Sequence, residues 1–326
     1  MKTKYFHLAG LLTLALFVSA CSSEGEGNVN ASSDQLTFST GTTSGVYYPL
    51  GALLATHWTN TGEMSVSAQA SNGSVENLKM MQRGDSQLAL STVNIMWEAY
   101  NGENSFEDGA YEDIRILANL YPNVSHIIAL DDAGVDAIQD LAGKSFVYGA
   151  AGSATELESK LVLSSHGVDL NTVNENYVGF GEAVDLMRNK QVQAVNIYTG
   201  VPAAGASELI STVDSKVVSF TDEGIQAMTN EENPWNFEYL IEKGTYEGQE
   251  EDVRTVGQFS SIAIDANISE DAVYEMTKSL WESLEALEQG HAVVGQFNVE
   301  EAVTGTADVP LHPGAERYYK EVGVLE

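Results

Sequence analysis

The chain has 326 residues, with 15 Lys and Arg against 47 Asp and Glu, a formal net charge of −32. So acidic a surface repels phosphate backbones and anionic lipid, which excludes nucleic acid as a partner. With 43% hydrophobic and only 19% charged residues, the chain can bury a sizeable core and is not wholly disordered.

The N-terminus sets the compartment. Lys2 and Lys4 precede an apolar run from Leu8 to Val18 that is too short for a permanent bilayer span. Val18, Ser19, Ala20 and Cys21 then read as a lipobox. Residues 1–20 are thus expected to be a lipoprotein signal peptide, with Cys21 lipidated after cleavage. Cys21 is the only cysteine, so no intramolecular disulfide, thiol nucleophile or cysteine-based metal site is available. Residues 21–34 are rich in Ser, Gly, Glu and Asn and read as a flexible tether. The expected location is extracytoplasmic, held to the cell membrane by lipid.

Beyond the tether, short β-like runs alternate with helical patterns. Leu36 to Thr40 reads as a strand and Gly41 to Gly45 as a Gly-bounded loop. Tyr47, Leu50, Gly51, Leu54 and Trp58 recur at helical spacing. Ser65 to Ala70 is the second strand, and Ser74 is expected to cap a helix carrying Val75, Leu78 and Met81, closed by Gly84. Gln87 to Ser91 is the third strand, followed by a helix holding Ile95, Met96 and Tyr100. Met96, Trp97 and Tyr100 could face a cleft, but a Met and aromatic stripe at helical spacing reads more readily as core.

The rhythm then repeats. Ser145 to Gly149 is a strand, and Ser153 with Glu156 forms a capping box for a helix running to His166 and stopped by Gly167. A helix over Gly181 to Asn189 and a strand over Val192 to Tyr198 follow. Val273, Met276, Leu280, Leu284 and Leu287 trace one long amphipathic helix capped by Ser269. The alternation predicts an α/β architecture with mostly parallel sheets. Two stretches, 36–58 and 145–166, share the order strand, small-residue loop, helix, which suggests two lobes.

Catalytic signals are sparse. The six histidines are scattered, with no HExxH pair, and no GxSxG, P-loop or intact GxGxxG occurs. Adjacent acids such as Asp131 and Asp132 read as solvated surface in a chain with 47 of them. No catalytic, metal or cofactor residue is assigned, and an enzyme is disfavoured. The specific signal lies in two loops, Gly41–Gly45 and Ala150–Thr155. Each follows a strand and opens a helix, and so offers backbone N–H groups, a positive helix end and hydroxyls to a small anion.

These residues resemble a known family. The run from Thr40 to Gly51 (TGTTSGVYYPLG) is similar to the opening signature of the TAXI receptors of TRAP (tripartite ATP-independent periplasmic) transporters. Gly73 to Leu78, Gly84 to Leu90, Asp140 to Lys144, Gly149 to Glu156 (GAAGSATE), Gly244 to Tyr246 and Leu311 to Lys320 (LHPGAERYYK) extend the similarity over nearly the whole mature chain. The resemblance implies a two-lobed class II periplasmic-binding-protein fold with a hinged cleft. It also implies a TRAP membrane subunit, commonly fused, as partner, and a glutamate-like or other small carboxylate as ligand. Carried over, lobe-one contacts would come from Thr43, Ser44, Tyr47, Tyr48, Asn72 and Ser74, and lobe-two contacts from Ser153, Ala154, Thr155, Thr199 and Pro202. One departure stands at Ser91 to Asn94, where the family often has Gln then Asp.

Residues 35–122 with 220–326 are expected to form lobe one and 123–219 lobe two. Tyr121, Pro122 and Asn123 would begin the first crossover, and His126 to Leu130 a strand after it. An ABC-type receptor for sulfonate-like anions and an enzyme on the same scaffold are the alternatives.

Overall fold

The computed structural model describes residues 35–62 and 64–326, so the signal peptide, Cys21 and the tether lie outside the described residues. The first strands are β1 (Gln35–Ser39), β2 (Ser65–Gln69), β3 (Leu88–Thr92), β4 (Ile114–Leu130) and β5 (Ser145–Val147). The others are β6 (Asn174–Asn176), β7 (Ala194–Thr199), β8 (Ser215–Val217), β9 (Phe237–Ile241) and β10 (Val253–Asp265). Around them lie α1 (Tyr47–Thr61), α2 (Ser74–Gln82), α3 (Val93–Asn101), α4 (Ala154–Ser165) and α5 (Phe180–Arg188). The chain continues through α6 (Ala204–Thr212), α7 (Asp222–Met228), α8 (Glu270–Glu282), α9 (Leu284–Glu288) and α10 (Pro313–Glu321).

The strands form one ten-stranded sheet in the order β2-β1-β3-β10-β4-β7-β5-β6, with β8 beside β4 and β9 beside β10. Each end is a parallel wing: β2, β1 and β3 on one side, β7, β5 and β6 on the other. The wings are joined by β4 and β10, which run antiparallel to each other and to the wing strands they meet. Parallel pairing therefore holds within the wings, while the centre of the sheet is antiparallel.

Both faces of each wing are buried. In the first, Leu36, Phe38, Leu50 and Trp58 pack with Val273, Leu280 and Tyr319, while Leu78, Met81, Ile95 and Met96 fill the opposite face. In the second, Phe146, Val162 and Leu163 lie on one face and Val195, Val184 and Leu209 on the other. Met96 is thus core, and Trp97 packs on Trp235 with ring centroids 5.5 Å apart.

Several expectations need correction. The first crossover does not begin a new strand at residue 126. β4 runs unbroken for 17 residues through Pro122. Proline is tolerated there because β7 pairs only from Val124 onward, so β4 has one ladder partner at Pro122. The second wing does not end at residue 219. Phe220, Ile225 and Met228 belong to one of its cores, and Ile241, Tyr246 and Val253 to the other. The return crossing therefore lies inside β10. Ser74 does not cap α2: Gly73 is the N-cap, and the Ser74 hydroxyl instead accepts from the Thr92 N–H at 3.3 Å. The long C-terminal helix breaks at Ser283 into α8 and α9, although Ser269 caps it as expected by accepting from the Ala272 N–H at 3.3 Å.

Candidate functional site

A cavity of about 60 Å³ lies between the wings, where β4 and β10 cross the middle of the sheet. The N-termini of α1, α2, α4 and α5 all reach its wall, through Val46 and Tyr47, Gly73 and Ser74, Ser153 to Thr155, and Gly179 and Phe180. First-turn N–H groups have no intrahelical acceptor, and four converging positive helix ends favour an anion.

Local chemistry holds these helix ends in place. Buried Asn77 donates to the Thr40 and Leu90 carbonyls at 2.6 and 2.7 Å and accepts from the Ser71 hydroxyl at 2.5 Å. It thereby ties together the ends of β1 and β3 and the loop before α2. The loops before α2 and α4 share one device. The Asn72 N–H donates to Glu76 Oε2 at 2.7 Å, and the Gly152 N–H donates to Glu156 Oε2 at 2.9 Å. Ser153 caps α4, its hydroxyl accepting from the Glu156 N–H at 3.2 Å. Only half of the expected capping box is formed, because Glu156 reaches Gly152 rather than the N-cap residue.

The wings touch around the cavity. The Gly181 N–H donates to Ser44 Oγ at 3.2 Å, and the Glu76 N–H donates to the Gly152 carbonyl at 3.2 Å. Gly73, at φ +121°, lets the backbone come close to Ser153: a Cβ there would sit 3.5 Å from the Ser153 Cβ.

The floor is polar. Tyr47 accepts from Asn123 Nδ2 at 3.1 Å and from Ser260 Oγ at 3.0 Å. Burial raises the pKa of Tyr47, and raises that of Tyr198 well above its ordinary value, so both hydroxyls stay neutral. Asn123 is 3% exposed and Tyr198 4%, both line the cavity, and neither Asn123 Oδ1 nor the Tyr198 hydroxyl has a hydrogen-bond partner. No Lys or Arg lines the cavity. Arg115 is held by the Glu112 and Ile114 carbonyls, and Arg188 by Asp185 and Glu208.

Of the residues expected from the sequence, Tyr47, Asn72, Ser74, Ser153, Ala154, Thr155 and Thr199 meet at this cavity. Thr43, Ser44 and Pro202 instead line a second cavity of about 370 Å³, beyond Phe180, which Thr199 also borders. Tyr48 lines neither. Asn123, Gly179, Phe180 and Tyr198 complete the first cavity and were not expected there. In the sequence Asn123 reads only as a crossover residue and Tyr198 only as a strand end. Buried His126 serves structure: it contacts the Val124 and Ile197 carbonyls and the Tyr246 hydroxyl, and burial lowers its pKa to about 4. Among the described residues, no cluster of three His, Cys, Asp or Glu could hold a metal ion, and no helix is long and apolar enough to cross a membrane.

Known structures share this architecture. A protein from Bordetella bronchiseptica RB50 matches with a TM-score of 0.53 at 13% identity, over 90% of each chain. A binding-protein component of an ABC phosphonate transporter from Pseudomonas aeruginosa matches with a TM-score of 0.52 at 13% identity, over 81% of this chain and 80% of that one. The fold is the α/β fold of the periplasmic solute-binding proteins. Within it, the chain belongs to the NMT1-like family, whose sequence pattern matches residues 38–323.

Proposed function

We propose that this chain is a lipid-tethered, extracytoplasmic receptor that captures a small carboxylate and delivers it to a TRAP membrane subunit of the TAXI class. Glutamate- or glutamine-like amino acids and other small carboxylates are the ligands this reading favours. The observation that carries it is the cavity itself: four helix N-termini surround a space lined by no cationic side chain. Binding, not catalysis, is the role such a lining supports, since it holds no nucleophile with an adjacent base.

The test sets helix termini against an arginine clamp. Ser153→Ala is expected to weaken carboxylate binding about ten- to a hundred-fold, because a hydrogen bond to a charged group contributes about 1.5–3 kcal/mol. Arg115→Ala and Arg188→Ala should leave affinity unchanged. Added salt should leave it unchanged or improve it, since salt screens the repulsion from a chain of charge −32. Calorimetry with glutamate, glutamine, small dicarboxylates, an alkanesulfonate and a phosphonate reads all of this. Loss of binding in either arginine variant, with Ser153→Ala near wild type, would sink the helix-terminus account. A clear preference for the sulfonate or phosphonate would favour the ABC-type reading, to which the fold of the Pseudomonas protein lends support.

Anchoring is tested separately. Cys21→Ala is expected to leave the protein soluble or unprocessed, because stable anchoring by acyl chains requires more than one. Membrane fractionation with lipid labelling checks this. A cleaved variant with unchanged labelling in the membrane fraction would refute the lipobox.

A further inference from the structure

Behind the first turn of α4 stands a buried acid. Ala154 and Thr155 wall the cavity, and Glu158 follows one turn later, about 6 Å further along the helix axis. Glu158 does not line the cavity itself, is 3% exposed, and takes one hydrogen bond, from the Ser125 hydroxyl at 3.3 Å. Ser125 lies directly across the β4–β7 ladder from Tyr198, a residue of the cavity wall. A negative charge on Glu158 raises the Tyr198 pKa, so that charge is felt at the wall.

Among the described residues, no cation pairs with Glu158. α4 packs against β7, α7 and the turns at 138–141 and 170–172. From β7 the ionisable side chain is Tyr198, which stays neutral. On α7, Asp222 pairs with Arg254 and Glu223 is exposed. Beside the turns, Asp140 accepts from the Asp136 and Ala137 N–H groups, and Asp169 from the Asn171 N–H. On α4 itself, Glu156 pairs with Lys160 at 2.6 Å, and His166 contacts the Val162 carbonyl. From β4, His126 turns to Tyr246, and across the cavity Glu76 accepts from the Asn72 N–H. With Ser125 as its one polar contact, Glu158 is raised by burial to a pKa of about 7.

We propose that Glu158 couples ligand binding to proton uptake: an anion seated at the α4 N-terminus favours the neutral form of Glu158, so a ligand arriving while Glu158 is ionised draws one proton from solvent onto its carboxylate. It rests on the carboxylate reading above and adds a regulation of that same site. Two negative charges this close, separated by protein rather than water, repel with little screening by salt. By linkage, whatever raises the proton affinity of Glu158 when ligand binds lowers ligand affinity when the proton is lost. The site therefore holds its ligand best in mildly acidic surroundings and releases it more readily as pH rises.

Calorimetry with glutamate and glutarate, in buffers of differing ionisation enthalpy, counts the protons. An upward shift of about one pKa unit on binding gives uptake of roughly half a proton per ligand near pH 7.5 and an affinity about five-fold lower at pH 8 than at pH 6. Glu158→Gln, which stays neutral, should show no uptake and a flat affinity over that range. Glu98→Gln should keep both effects: Glu98 is also raised to about 7, but it lies on α3 beside Asn104 and does not line the cavity. Should Glu158→Gln fail to fold, Ser125→Ala replaces it. Loss of the bond that favours the ionised carboxyl should move the uptake to higher pH. Binding by wild type without proton uptake, or uptake unaltered in the folded Glu158 or Ser125 variant, overturns the inference while the carboxylate site stands. Failure of both acids and of the other carboxylates to bind wild type refutes the carboxylate reading, and the coupling with it.

Discussion

Gly149→Val should destabilise the protein by about 4 kcal/mol and lower its melting temperature by roughly 10 °C. Gly149 ends the turn after β5 at φ +102°, where a β-branched residue is an outlier costing about 1–3 kcal/mol. Sterics add to this. A Cβ there would lie 2.6 Å from the Thr155 Cβ and 2.7 Å from its Cγ2. Thr155 is only 6% exposed in the first turn of α4, so it cannot swing aside, and overpacking of this kind costs about 1–3 kcal/mol more. Because Thr155 also walls the cavity, the same change displaces a ligand-facing helix end. Gly143→Val isolates the backbone contribution: Gly143 sits at φ +78° with nothing within 4 Å of its would-be Cβ. Thermal melts of the two variants should differ by several degrees. Equal melting temperatures would show that the contact with Thr155 is slack.

The second large effect is a pH dependence at Glu158. This residue of α4 is 3% exposed, takes one hydrogen bond from the Ser125 hydroxyl at 3.3 Å, and forms no salt bridge. Burial raises its pKa from 4.5 to about 7. The folded state therefore holds a proton between those values that the unfolded state has released. The stability this carboxyl contributes is fully present below about 4.5 and is lost as pH rises to about 7. The shift corresponds to about 3 kcal/mol. Glu98, also raised to about 7 by burial, acts in the same direction. His126, lowered from 6.5 to about 4 by burial, acts oppositely, losing its contribution as pH falls through that window. Opposing groups flatten the wild-type profile, so the informative quantity is a difference. Glu158→Gln, which stays neutral, should gain about 3 kcal/mol over wild type between pH 4 and pH 8 in urea unfolding. Parallel curves across that range would mean that Glu158 is solvated or paired when ionised.

Some of this was legible because it is local. The loops at Gly41–Gly45 and Ala150–Thr155 and the Ser153 and Ser269 caps are set by residues within a few positions of one another, whose spacing has physical meaning on its own. The strands and helices read from periodicity occur in the expected order, but β6, β8, β9, β10, α6, α7 and α10 showed no such signal. Where a local rule failed, a distant partner had intervened. The Ser74 hydroxyl turns to Thr92, and Glu156 closes its own loop instead of completing a box.

The residues that finish the site carry no such pattern. Asn123 lies in the middle of β4, Tyr198 near the end of β7 and Phe180 at the start of α5; the pairing of β4 with β7 and the packing of α5 against them bring the three to one cavity. β4 and β10 are buried on both faces for most of their length, so neither shows the polar alternation that marks a half-buried strand. Their continuity across both wings, and the return of residues 220–253 to the second wing, depend on pairings between segments more than 100 residues apart. The sequence alone therefore determined the α/β class, the Ser153 and Ser269 caps and the two small-residue loops that open α1 and α4, since each rests on near-neighbour sterics and hydrogen bonds. Which side chains line the cavity was decided by long-range packing, because a cavity is the space left between elements that meet only in the folded chain.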